Sequence, residues 1–197
     1  MATLLQNLDL SQITFGDYKD GDKIGTVKMS MPVLHINTLL SSKYGVNPNF
    51  EVNGRYPLEV DITPEIDEQI AKLEAHIKKT FAANSRSWFK KDKQFVFSSM
   101  VRDMEEGGAV LKVKITKDTF MRRLSEDGTI LKNTEATIAH LNRFCKVTLF
   151  LHSYSLWVNT EELTYGLSLK AKALLIKSGV DEDHIESMIL SAGYSYE

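Results

Sequence analysis

The strongest periodic signal in the chain runs from Thr63 to Ala83, where Ile66, Ile70, Leu73, Ile77 and Phe81 recur at three- and four-residue spacing and draw one apolar stripe along a helix. Thr63 suits the cap, and Pro64 with Glu65 suits the first turn. Glu68/Lys72 and Glu74/Lys78 are acid-before-base pairs four apart, worth about 0.3–0.5 kcal/mol each on a solvated face. A helix with one apolar face needs a surface to cover, and extended runs supply it. "KIGTVKMSMPVL" reads as a strand with Pro32 at an edge or bulge, and "RYPLEVDI" as another. "AVLKVKIT" alternates strictly, with Leu111, Val113 and Ile115 on one face and Lys112, Lys114 and Thr116 on the other. A further strand is expected around Phe95 to Val101. Turns fall at Asn53-Gly54, Gly107-Gly108 and Asp127-Gly128. Residues 133 to 144 are expected to hold a short helix, and "DEDHIESMIL" a second, with Asp181 or Asp183 near its start. The class is mainly β, of the α+β kind.

At 197 residues the chain suits one domain, or one domain with an appendage, that buries about two thirds of its unfolded surface. We expect an N-terminal arm over 1–23, one domain over 24–177, and a C-terminal short helix and tail over 178–197. With 43% hydrophobic and 25% charged residues the composition is that of a globular protein. Cys145, the single cysteine, cannot close an internal disulfide, and no leader pattern opens the chain, so an intracellular setting is expected. Runs such as "VTLFL" are too short to span a bilayer, and no membrane partner is expected. The net charge of −2 requires any nucleic-acid site to be a local patch.

Such a patch is legible between residues 146 and 175. Pairing 146–157 antiparallel with 165–175, aliphatic against aliphatic, sets Leu149 against Ala173, Leu151 against Ala171 and Trp157 against Tyr165 on the core face. The other face then carries Phe150 near Lys172, His152 near Lys170 and Tyr154 near Ser168. Rings interleaved with lysines suit single-stranded nucleic acid, because bases stack on rings while ammonium groups neutralise phosphates, each stacked base contributing about 1–3 kcal/mol. The same pattern also describes a solvated, protected edge. Trp88 and Phe89, followed by "KKDK", read either as a hydrophobic plug with a charged collar or as a stacking pair beside Lys90 and Lys91.

Catalytic chemistry has little footing. His35, His76, His140, His152 and His184 are scattered, and no CxxC, HExxH, Walker loop or GxSxG occurs. Cys145 reads as a small buried hydrophobe, and Asp20/Asp22 and Asp181/Asp183 as solvated loops. We expect no enzymatic activity, no cofactor and no metal.

Three stretches in order, "MPVLHINTLLSSKYGVNPNFEVNGRYPLEVDI", "ANSRSWFKKDK" and "KVTLFLHSYSLWVNTEELTYGLSLKAKALLI", resemble the single-stranded DNA-binding proteins of large eukaryotic DNA viruses and, more distantly, those of short-tailed bacteriophages. The resemblance covers about Gly25 to Lys177. It implies a five-stranded OB-fold-like barrel, with one long packed helix, that binds oligonucleotides across one strand face. The phage relatives end in a long acidic tail, whereas this chain ends "DEDHIESMILSAGYSYE", only mildly acidic, so the resemblance leaves tail-mediated recruitment open. Where the phage pattern places an aromatic two residues before the hairpin tryptophan, this chain has Ser155, and the role passes to Tyr154.

The preferred expectation is a sequence-tolerant single-stranded DNA-binding protein of a viral replication or recombination apparatus, coating strands and promoting annealing. Tyr154, Phe150, His152 and Trp88 are the ring candidates, and Lys112, Lys114, Lys170, Lys172, Lys90, Lys91 and Arg122 the phosphate contacts. Replication proteins such as a polymerase or helicase are the further partners considered, and self-association is left open. The alternative is a non-enzymatic β-barrel adaptor docking a viral protein.

Overall fold

A computed structural model describes residues 2–89, 94–177 and 191. Its strands are β1 (Thr3–Leu4), β2 (Thr14–Lys19), β3 (Ile24–Ser30), β4 (Leu34–Ser42), β5 (Arg55–Ile62), β6 (Val96–Ser98), β7 (Val101–Asp103), β8 (Ala109–Thr116), β9 (Phe120–Leu124), β10 (Ile130–Glu135), β11 (Cys145–His152), β12 (Ser155–Asn159), β13 (Thr164–Leu167) and β14 (Lys170–Lys177). One long helix, α1 (Pro64–Phe89), follows β5. The larger sheet runs β1-β4-β11-β14-β8-β5, with β7 on β8, β9 on β14 and β10 on β9. The smaller runs β2-β3-β12-β13-β6. Strands β4 and β5, at separate positions in that order, are joined where the Ser42 hydroxyl donates to the Glu59 carbonyl at 2.7 Å.

The expected stripe is the buried face of α1: Ile70, Leu73 and Ile77 are fully buried and Phe81 nearly so. The helix runs six residues past Ala83, where the periodic stripe was expected to end. Asn84, Ser85 and Ser87 return side-chain hydrogen bonds to the carbonyls of Thr80, Ala82 and Asn84, so these polar residues stay within the helix. That extension brings Trp88 and Phe89 back onto Phe81, which also stacks on Tyr165 at 3.6 Å.

The N-terminal residues are not a free arm. Thr3 and Leu4 pair parallel with Leu34 and His35, and β2 pairs antiparallel with β3. Leu5 and Ile13 are buried in the core, and this burial, invisible to a search for regular periodicity, ties the segment down. Of the helix expected over 133–144 only a single 3₁₀ turn, Ile138–His140, is present; residues through Glu135 belong to β10. The strand expected over 95–101 divides at Ser99-Met100. There the buried Glu74 carboxylate accepts from the Ser99 hydroxyl and the Met100 N–H, both at 2.8 Å, and bends the chain between β6 and β7. The C-terminal short helix and tail expected over 178–197 lie outside the described residues, apart from Ser191.

The largest difference from the sequence reading concerns the closing hairpin, which is two hairpins in two sheets. β11 pairs with β14 in the larger sheet and β12 with β13 in the smaller, the chain crossing at Ser153-Tyr154 on the way out and at Ser168-Leu169 on the way back. His152 pairs with Lys170 and Leu151 with Ala171, as read from the sequence. Beyond them the register slips by a bulge, so Phe150 faces Ala173 and Leu149 faces Leu174. Past the crossing the inward phase also changes: Leu156 and Val158 are fully buried, and Trp157, opposite Gly166 and Thr26, points the other way. Trp157 is therefore not a core residue.

Candidate nucleic-acid interface

On the outward face of the larger sheet, strand alternation lines up residues from four strands. Pro57 lies opposite Lys114, Lys114 beside Lys170, and Lys170 opposite His152. Arg55 and Lys112 flank this row on β5 and β8, and Arg55 directly follows the Asn53-Gly54 turn, whose residues both adopt positive φ. Lys114 is half-buried and its ammonium donates to the Ser168 hydroxyl at 2.9 Å. Burial first, then the like charges of Arg55 and Lys170, hold its pKa below the usual lysine value. Three cations brought this close form a site that an anion would relieve.

The smaller sheet supplies the facing wall. Trp157 projects from β12 with Ser155 and Asn159 at alternate positions beside it, and Thr26 opposite on β3. Gly166 makes room for the indole: a Cβ there would stand 2.7 Å from the ring carbon Cζ2 and 2.9 Å from the Ser98 carbonyl oxygen. Tyr154 sits at the crossing between sheets, 60% exposed, with its ring edge-on to His152 at 4.4 Å. Its carbonyl accepts from the Met29 N–H at 2.7 Å, which fixes the backbone of this exposed ring.

Between these walls runs a groove of three cavities joined through shared residues. The central one, about 560 Å³, is lined by Tyr154 and Trp157 together with Arg55, Lys114 and Lys170. Arg55, Tyr154 and Lys170 also line a cavity of about 500 Å³, which adds Lys117, His152 and Lys172. Trp157, Lys114 and Ser168 line a third, about 240 Å³, bounded by Lys112, Glu59 and the Ser98–Met100 turn that Glu74 holds.

Of the residues expected at the site, Tyr154, His152, Lys170, Lys172, Lys112 and Lys114 meet in this groove. Three others are placed elsewhere. Phe150 stacks on His35, centroids 4.2 Å apart and rings 4° from parallel, and lines none of the three cavities. Arg122 lies over the Phe120 ring at 4.1 Å on β9, beyond β14. Trp88 is part of the aromatic plug around Phe81, because the helix continues far enough to deliver it there. Lys90 and Lys91 lie outside the described residues. The sequence reading missed Trp157, Arg55 and Lys117. For Trp157 a signal was present: the small polar "HSYS" between two apolar runs marks the crossing that inverts the phase.

Burial pushes the Cys145 thiol up to about 11. Among the described residues no group of three His, Cys, Asp or Glu is placed to hold a metal ion, and no helix is long and apolar enough to cross a membrane.

No protein-family model matches the chain, and no curated protein does. Solved structures similar to it include gp2.5, a single-stranded DNA-binding protein encoded by bacteriophage T7, at 13% identity over 89% of this chain and 99% of that one, with a TM-score of 0.47. Another is the single-stranded DNA-binding protein from bacteriophage Enc34, at 11% identity over 84% and 90%, TM-score 0.46. A structure of that protein in complex with single-stranded DNA matches at 9% identity over 85% and 97%, TM-score 0.44. All three are distant likenesses.

Proposed function

We propose that the groove binds single-stranded DNA with little regard to sequence, as a coating protein of a viral replication or recombination apparatus does. One observation carries this reading: the central cavity is lined by two aromatic rings, Tyr154 and Trp157, and by three cations, Arg55, Lys114 and Lys170. Rings offer stacking to any base, and cations neutralise the phosphates between them. In a duplex the base faces are already covered by their neighbours, so ring platforms of this kind favour unpaired strands. The order β4-β11-β14-β8-β5, with β5 returning beside β4, reads as a five-stranded OB-fold-like barrel, an architecture that takes oligonucleotides on its strand face. The role is one of binding without turnover, inside the cell. Annealing, and contacts with a polymerase or helicase, belong to the same proposal.

A fluorescence titration with oligothymidine at two salt concentrations tests it. With about five phosphates neutralised, the logarithm of affinity falls against the logarithm of salt with a slope near −3.5, about a hundredfold between 50 and 200 mM. Absence of binding at 50 mM salt would overturn the proposal and leave docking of a protein partner as the reading of the same face.

A further inference from the structure

The cavity at the Tyr154 end of the groove is framed by Asn53–Arg55, Thr116–Asp118 and Lys170–Lys172, with His152 in its wall. His152 is 8% exposed, and its Nδ1 is enclosed without a hydrogen-bond partner. A neutral imidazole carries one donor and one acceptor, whereas the protonated ring carries two donors. The neutral form with its hydrogen on Nε2 leaves only an acceptor unmatched; protonation would enclose an unpaired N–H and a charge. The charged groups facing the ring reinforce this. Lys170 and Lys172 approach from β14, Arg55 lines the cavity from β5 and Lys117 from the turn after β8; Asp118 is the one acid lining it. Tyr154 meets the ring edge-on at 4.4 Å. Burial, then Lys172 and Lys170, hold the His152 pKa below the usual histidine value.

We propose that this cavity receives a phosphodiester group of the bound strand, and that His152 takes up a proton from solvent as the phosphate enters. This inference rests on the single-strand reading above. A phosphate does not partner the enclosed Nδ1, but it offsets the lysine charges that disfavour a proton on the ring and adds its own attraction for one, so the proton is gained through charge and not through a new hydrogen bond. The only bond formed is N–H, and the proton comes from the buffer. Of the side-chain types in the groove, imidazole is the one whose ordinary titration lies near neutrality, so His152 is the group that links affinity to pH there. The sign follows from the two midpoints. Well above both, neither state holds the proton and affinity is level with pH. As pH falls through the midpoint of the complex, the complex gains a proton that the free protein lacks, and binding tightens. Below the midpoint of the free protein the gain stops.

Titration calorimetry of the full chain with oligothymidine at pH 6.5, in two buffers of different ionisation enthalpy, counts the proton directly. Fluorescence titrations at constant ionic strength give the accompanying affinities. For the wild type we expect net proton uptake and about three- to tenfold tighter binding at pH 5.5 than at 7.5. His152→Gln should abolish most of both, while His35→Gln, altered outside the groove, should abolish neither. Equal uptake and equal pH dependence in His152→Gln and wild type would overturn the inference and leave the single-strand reading standing. No binding by wild type at either pH would instead remove the reading on which it rests. Should His152→Gln fail to fold, an imidazole NMR titration of wild type decides: the His152 midpoint rises on adding oligothymidine, and an unmoved midpoint overturns the inference.

Discussion

Trp157 packs over Gly166, its direct partner on the neighbouring strand, in the space that any Cβ at that position would take. Gly166→Ala should therefore displace the indole and, because the Ser98 carbonyl is nearly as close, lower stability by about 1–3 kcal/mol, the usual range for overpacking. Affinity for oligothymidine should fall with it. Trp157→Ala should lose about 1–3 kcal/mol of affinity at both 50 and 200 mM salt, leaving the salt slope unchanged, since stacking releases no counterions. Urea melts alongside the titrations separate the two effects. Unchanged affinity in Trp157→Ala would remove the ring from the site.

The cations should behave in the opposite way. Replacing Arg55 and Lys170 together with Gln should flatten the salt slope by about 1.4 units, the share of two phosphates. Arg122→Gln should leave the slope as it is, because that side chain lies over Phe120 outside the groove. A flattened slope in Arg122→Gln would extend the binding face across β14.

Glu74 reaches the interface from the helix. Glu74→Ala leaves the Met100 N–H and the Ser99 hydroxyl without their acceptor and should cost about 1–3 kcal/mol of stability in urea. Glu74→Gln keeps one acceptor oxygen and should cost less. Since Ser98, Ser99 and Met100 bound the small cavity beside Trp157, Glu74→Ala should also weaken binding.

Cys145 should be inert while the protein is folded. It is fully buried, and with its pKa raised to about 11 almost no thiolate is present at pH 8. An alkylating reagent should modify it only on the timescale of unfolding. Rapid modification of native protein would place this strand end in solvent.

How far the sequence carried depends on the range of each signal. The Ile70–Leu73–Ile77–Phe81 stripe and the Leu111–Val113–Ile115 alternation are local patterns with one face buried, and both faces could be read without knowing what covers them. Local pattern also placed Lys112, Lys114, Lys170 and Lys172 outward. What lay beyond reach was the partner in space. That Arg55 stands beside Lys114 depends on β5 pairing with β8 across a 26-residue helix. The aliphatic match that placed Trp157 inside assumed a single unbroken ladder; the crossing at Ser153-Tyr154 breaks it, and one break is enough to turn every later side chain over. Trp88 kept two readings, plug and stacking ring, because its neighbours Asn84, Ser85 and Ser87 resemble a loop until their side chains are seen to bond back to the helix.

The groove is bounded by its two sheets and, among the described residues, by no segment closing over it: the cavities follow one another as an open trough. A polymer can be laid into such a trough from the side, at any point along its length, and lifted out the same way. A circular strand should then be bound as readily as a linear one of equal length, with no free end to find and no threading step to limit the rate.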